Sequence, residues 1–307
     1  MRLLVVNNVT SGPGDDSIHD FIRVAARPGT EILLRTLAPG EPVSDLLGDA
    51  EDFDVVVAAG GDGTVSATLY ELRDSGVVVL PFPSGTANIL ALNLDLPTTA
   101  TGLAELVYSG VPARFDLGEF EGHDENGGII KRGFSIVAGA GYDATVVKAA
   151  DAMKGSLGVG AYIAGALANL APTHAHISLE IDGETIETEG ISVFMLNFGK
   201  YQFDLKITPD FDPQDGQFDI GVANTKMVLG LLPIIASMGL DPDGTRTDAL
   251  EIYKGSEVKV VCDPPLPIEF DGEPETFLTP MTARILKGAA SILVPADSLY
   301  APRLSDA

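Results

Sequence analysis

The sequence predicts an α/β chain, with a parallel sheet covered by helices on both faces followed by a mainly antiparallel region. Three observations carry that expectation. Val-rich apolar runs such as Leu3 to Val6 and Asp54 to Ala59 alternate with helix-like stretches through the first third. Continuous apolar strands are buried on both faces, and their alternation with helices builds a parallel sheet. From about Arg114 the pattern changes to alternating strands, two of them meeting at Asp182-Gly183, and Asp-Gly between strands is a hairpin signal. Finally, the chain is 45% hydrophobic over 307 residues, enough core for one large domain or two ordinary ones.

Taken in order, Leu3 to Val6 reads as a strand, Ile18 to Ala26 as a helix and Glu31 to Leu37 as a strand. Pro42 to Leu47 starts a helix. Asp54 to Ala59 is the next strand, Thr64 to Asp74 a helix, Val77 to Pro81 a strand and Ala87 to Leu92 a helix. The second region contributes strands at His176 to Ile181, Ile191 to Leu196, Phe218 to Val222, Glu257 to Cys262 and Ile268 to Phe270. Helical stretches interrupt it at Asp143 to Ala152, Leu157 to Leu170 and Lys226 to Gly239. There are no internal repeats and no low-complexity tract.

Charge and cysteine usage exclude several functions. With 19 Lys plus Arg against 44 Asp plus Glu, the net charge is −25. A nucleic-acid partner needs a basic patch to neutralise phosphates, and the sequence has none. The single cysteine, Cys262, excludes an intrachain disulfide and a thiolate metal cluster and reads as a small apolar filler in a strand. The N-terminal run MRLLVVNN is too short for a signal peptide. The longest apolar stretch, Met227 to Leu240, is about half a membrane span. The expectation is a soluble cytoplasmic protein. The four histidines show no metal-ligand spacing and no nucleophile–His–acid set, so they read as surface residues.

The chemistry-bearing residues gather at strand ends, where parallel sheets bind ligands. Gly60-Gly61-Asp62-Gly63-Thr64 ends one strand and opens a helix. Such a turn presents backbone N–H groups at the positive end of a helix dipole, an anion site. It matches neither G-x-x-x-x-G-K-[ST] nor G-x-G-x-x-G, because Ser66 stands where the last glycine is needed. The alternative reading is a tight turn with Asp62 as a helix cap. Asn8-Val9-Thr10-Ser11-Gly12-Pro13-Gly14 and Phe82-Pro83-Ser84-Gly85-Thr86-Ala87-Asn88 sit at two further strand ends. Each alone is ordinary cap chemistry; together along one sheet edge they would cradle a nucleotide.

In this order the motifs resemble those of the diacylglycerol kinase catalytic domain of bacterial lipid kinases and sphingosine kinases, over nearly the whole chain. The five-residue glycine motif alone is shared with NAD kinases and phosphofructokinases. Asn8, Ser11 and Gly12 resemble the family's first nucleotide loop, with Val9 where proline is usual. Thr36 matches a threonine the family places near the nucleotide, and Gly139 to Ala144 resembles the segment opening its second domain. Asp212-Pro-Gln-Asp215-Gly-Gln217-Phe-Asp219 resembles an acidic turn that holds a structural Mg²⁺ in some bacterial members. Phe270-Asp271-Gly272-Glu273 resembles the catalytic Asp-Gly-Glu.

The resemblance implies an N-terminal three-layer Rossmann-like domain over residues 1–112, with the tail 293–307 packed back on it. It implies a C-terminal, mainly antiparallel β-sandwich domain with inserted helices over 113–292, which would take the lipid. ATP and Mg²⁺ would be the cofactors. ATP would sit on Asn8, Ser11, Gly12, Thr36, Gly60, Gly61, Asp62, Gly63, Thr64, Gly85, Thr86 and Asn88. Asp212, Asp215 and Gln217 would hold a bracing metal, since hard oxygens at that spacing suit Mg²⁺; the alternative is a solvated loop.

A lipid hydroxyl is a poor nucleophile and needs a positioned base. Asp271 and Glu273 are the candidates; residues two apart on a strand point the same way, and Asp271 is favoured as the base, with Glu273 in support. Asp182-Gly183-Glu184 carries the same three letters in a plain hairpin, and only motif order separates the two sites. The partner is a lipid alcohol reached by transient contact with a membrane surface, for which Met227 to Met238 supplies either an apolar wall or simply a core helix. Oligomeric state stays open, a homodimer included. The rival functions are a soluble-substrate kinase of the NAD kinase kind and a nucleotide-binding regulator without catalysis.

Overall fold

The computed structural model describes residues 1–11, 17–123, 127–142, 172–199, 211–226 and 249–302. The expected helices at Asp143 to Ala152, Leu157 to Leu170 and Lys226 to Gly239 lie outside the described residues, save Lys226. The chain divides into two compact units, one comprising Met1–Leu117 with Lys287–Ala307 and the other Gly118–Leu286.

The first unit opens with β1 (Arg2–Asn8), α1 (Ser17–Ala25) and β2 (Glu31–Leu37). After two 3-10 turns, Val43–Leu46 and Ala50–Asp52, come β3 (Val55–Gly60), α2 (Asp62–Glu71) and β4 (Val78–Pro83). Next are α3 (Ile89–Asn93), α4 (Ala100–Ser109) and the start of β5 (Val111–His123). The four strands up to β4 form a parallel ladder in the order β2-β1-β3-β4, with Val5 opposite both Leu34 and Val57, and Val56 opposite Val79. Leu3, Leu4, Val5 and Val6 are all fully buried, although successive strand side chains point to opposite faces. Both faces of the sheet are therefore covered, as the continuous apolar runs require, and each such side chain contributes about 1.5–3 kcal/mol.

Local chemistry accounts for the differences from expectation. The helix expected from Pro42 closes after one 3-10 turn. Helix α2 begins two residues earlier than predicted, so Asp62 and Gly63 lie in its first turn rather than in a loop before it. Helix α4 was not anticipated; Thr99 caps it by accepting the N–H of Gly102 at 3.1 Å.

The second unit is antiparallel. Its strands are the end of β5, β6 (Ile129–Phe134), β7 (Val137–Gly141), β8 (Ala175–Ile181), β9 (Glu184–Gly190) and β10 (Ser192–Leu196). They continue with β11 (Phe218–Ala223), β12 (Leu250–Gly255), β13 (Glu257–Asp263), β14 (Pro267–Phe270), β15 (Glu273–Leu278) and the start of β16 (Met281–Val294). One six-stranded sheet runs β12-β11-β10-β7-β14-β15, and β16-β13-β8-β9 run side by side in the other. A single buried cluster takes Ile177, Leu179, Val258 and Val260 from the latter and Val193, Met195, Ile220 and Ile268 from the former, so the two sheets form a sandwich. The last part of β16 belongs to the first unit, where Ser291 and Ile292 pair in parallel with Val78 and Val79.

Candidate functional sites

In the first unit the parallel register brings three loops to one sheet edge. Asn7 lies opposite Ala59 and Thr36, and Gly60 lies opposite Pro83. The loops are tied to one another by side chains. Asn8 Nδ2 donates to Thr64 Oγ1 at 2.8 Å, while Asn8 Oδ1 accepts the backbone N–H and the hydroxyl of Thr10. The N–H of Ser84 donates to the Gly60 carbonyl at 3.1 Å. Asn88, in the left-handed conformation with φ 50°, closes its own turn by accepting from Gly85 N–H and donating to Gly85 O, each at 2.9 Å.

Asp62 occupies the centre of this arrangement. Its Oδ2 accepts the N–H of Ile89 and its Oδ1 that of Leu90, each at 3.0 Å. The carboxylate thus caps α3, a helix 27 residues further along the chain, as well as standing in the first turn of α2. The cap expected from the sequence was on the helix that follows the glycine turn; instead α2 starts at Asp62 itself after Gly61, and the carboxylate serves α3.

The glycines answer to close approach rather than to unusual torsions. A Cβ on Gly85 would stand 2.5 Å from the Cα of Gly61, and one on Gly60 would stand 2.5 Å from Thr64 Cβ. Gly61 and Gly85 therefore lie backbone to backbone, which only glycine permits. Beside them opens a pocket of about 230 Å³ whose lining includes Asn8, Ser11, Ser17, Ile18, His19 and Ser84. Ser84 Oγ is buried there with no hydrogen-bond partner. A buried hydroxyl without a partner costs free energy. Close-packed glycines and the amides and hydroxyls of these loops thus share one sheet edge. Thr36 is exposed at the end of β2 and Thr86 is exposed in its turn. Gly12 lies outside the described residues. Ser17, His19 and Ser84 were not singled out as site residues from the sequence; the helix-start position of Ser17 and His19 was the available signal.

The second unit holds Asp271 and Glu273. Asp271 and Gly272 form the two-residue loop between β14 and β15, with φ values of 46° and 81°. Positive torsions at both positions are those of the primed hairpin turn that Asp-Gly favours. The expectation that Asp271 and Glu273 share a strand face is corrected: Asp271 is in the turn, and its carboxylate folds back onto the chain. Its Oδ1 accepts the N–H groups of Ile136 and Val137 at 2.8 and 2.9 Å, and its Oδ2 accepts that of Ser135 at 2.8 Å. Glu269, 2% exposed, accepts Gly272 N–H at 2.9 Å and pins the other side of the turn.

The lookalike hairpin is built the same way. Asp182 and Gly183 have φ values of 49° and 89°. The Asp182 carboxylate accepts the N–H and hydroxyl of Ser256 and the N–H of Glu257. Burial works against its charge, but those hydrogen bonds prevail and hold its carboxyl below the usual range. Aspartate in these Asp-Gly turns is thus a brace for a neighbouring segment. What differs is the following strand. Glu273 is exposed on β15, and Glu275, two residues on and on the same face, is half-buried. Burial pushes the Glu275 carboxyl up, Arg132 at 3.6 Å pulls it down, and the Glu273 charge pushes it up again, for a net rise. Glu275 was not identified from the sequence; its signal was the i, i+2 spacing from Glu273.

In the acidic turn of Asp212, Asp215 and Gln217 the two carboxylates are engaged within the chain. Asp212 Oδ1 accepts the N–H of Gln214 at 3.0 Å, and Asp215 Oδ1 accepts that of Gln217 at 2.8 Å, so both side chains fold into the turn itself. Asp215 Oδ2 faces Lys254 Nζ at 3.4 Å. Among the described residues, no three Asp, Glu, His or Cys side chains come together as a metal-binding group.

A parallel unit with glycine loops on one sheet edge, joined in one chain to an antiparallel sandwich, is the two-domain architecture of the diacylglycerol kinase and NAD kinase type. Residues 2–120 match the diacylglycerol kinase catalytic domain, and residues 136–294 match the YegS C-terminal NAD kinase beta sandwich-like domain. The chain belongs to the diacylglycerol kinase catalytic-domain family, a family of kinases. It is 27% identical over 268 residues to an uncharacterized protein of Synechocystis, covering 81% of this chain and 57% of that protein's length. It is 29% identical over 248 residues to a diacylglycerol kinase of Mycobacterium tuberculosis, covering 80% of this chain and 77% of that protein. A crystal structure of a diacylglycerol kinase from Bacillus anthracis superposes with a TM-score of 0.74 at 22% identity, covering 95% and 96% of the two chains. Among the described residues no helix is long and apolar enough to cross a membrane.

Proposed function

We propose that this chain is an ATP-dependent lipid kinase that transfers the γ-phosphoryl group of ATP to the hydroxyl of a lipid alcohol, diacylglycerol-like or sphingoid-like. The observation that carries the reading is the Gly61–Gly85 backbone contact at the sheet edge, beside a pocket lined by Asn8, Ser11 and Ser84, in a chain of this kinase family. ATP is taken by Asn8, Ser11, Gly12, Gly60 to Thr64, Gly85, Thr86 and Asn88, with Thr36 at the margin. First-turn N–H groups of α2 lack intrahelical acceptors and suit phosphate oxygens. Asp62 locks α3 against the phosphate loop and adds the negative charge that a nucleotide-borne cation faces. A divalent cation bound with the ATP neutralises its phosphates.

Glu273 is the base. Each Asp271 oxygen already holds backbone N–H groups, whereas Glu273 is exposed on its strand. Glu273 takes the proton of the lipid hydroxyl, the freed oxygen pair bonds to the γ-phosphorus, and the bond to ADP breaks. Asp271 is a positioning residue that holds the hairpin. The acceptor is met at a membrane surface by a chain peripheral to it. Radiolabelled ATP with a panel of lipid alcohols in detergent, read by chromatography, tests this: one labelled lipid phosphate is expected. ATP binding with no labelled product across all lipid classes refutes it.

A further inference from the structure

We propose that the ε-ammonium of Lys254 is the resident cation of the acidic turn, so that this chain braces its β-sandwich unit without a divalent metal. Lys254 and Asp219 are direct cross-strand partners in the β11–β12 ladder. Directly opposed side chains of opposite charge on one face of a sheet attract. Asp219 is buried, its side chain 4% exposed, and its Oδ1 stands 3.4 Å from Lys254 Nζ. A buried carboxylate needs a positive partner, and the ladder register delivers one. From the same position the ammonium reaches Asp215 Oδ2, also at 3.4 Å. One charge therefore ties the turn before β11 to the start of that strand and to the neighbouring strand, the work expected of the metal.

A metal in this turn would face obstacles. Mg²⁺ binds carboxylate oxygens at about 2.1 Å. On Asp215 Oδ2 it would sit within a few ångströms of the ammonium and repel it. Displacing Lys254 would remove a cation that stands 3.4 Å from the buried Asp219 carboxylate.

The test uses this 307-residue chain without nucleotide, so it is independent of the kinase reading. Thermal melting is followed in EDTA and in millimolar Mg²⁺, with Mn²⁺ electron paramagnetic resonance as a direct binding probe. Wild type should melt within about 1 °C in both buffers and leave the free Mn²⁺ signal intact. A ligand bound only to the native state raises its melting temperature, so a rise of several degrees with Mg²⁺, or loss of the Mn²⁺ signal at one ion per chain, overturns the proposal. Lys254→Met should melt about 2–4 °C lower than wild type, and Lys254→Arg, which keeps the charge, should recover most of that loss. Wild-type melting in Lys254→Met overturns the proposal from the other side. If Lys254→Met does not fold, the wild-type measurements still decide.

Discussion

Asp271→Asn isolates the structural task of the Asp-Gly-Glu turn from its chemistry. Asparagine tolerates the φ of 46° at this position, so the turn itself is not strained by the change. What is lost is the charge accepting three backbone N–H groups at 2.8 to 2.9 Å, and one oxygen becomes an amide NH₂ facing another donor. Hydrogen bonds to a charged acceptor are each worth about 1.5–3 kcal/mol. Solvent reaches this half-buried turn and replaces part of that, which leaves a cost of about 2 kcal/mol. In a unit of this size that lowers the melting temperature by roughly 4–8 °C. Glu273→Gln is exposed and should melt within about 1 °C of wild type, yet lose roughly a hundredfold or more in kcat. Asp182→Asn should melt lower and keep its kcat, and Glu184→Gln should change neither. The assay is thermal melting beside kcat on one lipid substrate for all four variants. If Asp271→Asn melts like wild type while its kcat collapses, and Glu273→Gln turns over normally, Asp271 is the base and the bracing argument is wrong.

Asp62→Ala removes the acceptor of the Ile89 and Leu90 N–H groups, so it should cost about 1–2 kcal/mol of stability together with most nucleotide affinity; a variant that binds ATP normally by calorimetry would refute its place in the cradle. Gly85→Ala puts a Cβ 2.5 Å from Gly61 Cα and should weaken ATP binding by roughly tenfold or more, because neither backbone can yield without parting the loops; unchanged affinity would show the contact to be incidental. The Cys262 thiol, pushed up to about 11 by burial despite its hydrogen bond with Thr279, should alkylate slowly at pH 8 and faster as pH rises toward that value, since only the thiolate reacts. Rapid labelling of native protein at pH 8 would contradict that burial.

Much of this was decided by the sequence itself. The Val-rich strands of the first unit are legible because burial on both faces demands unbroken apolar runs. Asp182-Gly183 is legible as a turn because few residue pairs accept two positive φ values. Motif order carried the family, since glycines that let two loops touch must stand at fixed places along the chain. Elements without such local necessity were not legible. Strands β5 and β16 each serve both units, so their residues answer to two environments and show no single period. The roles of carboxylates were decided only by tertiary structure. Asp271 accepts hydrogen bonds from residues about 135 positions away, Asp62 from a helix start 27 positions on, and Asp215 meets a lysine 39 positions on. A carboxylate can act as a base, a cap or a counter-ion. Which one it becomes depends on the donors that folding brings to it, and those lie far off in sequence.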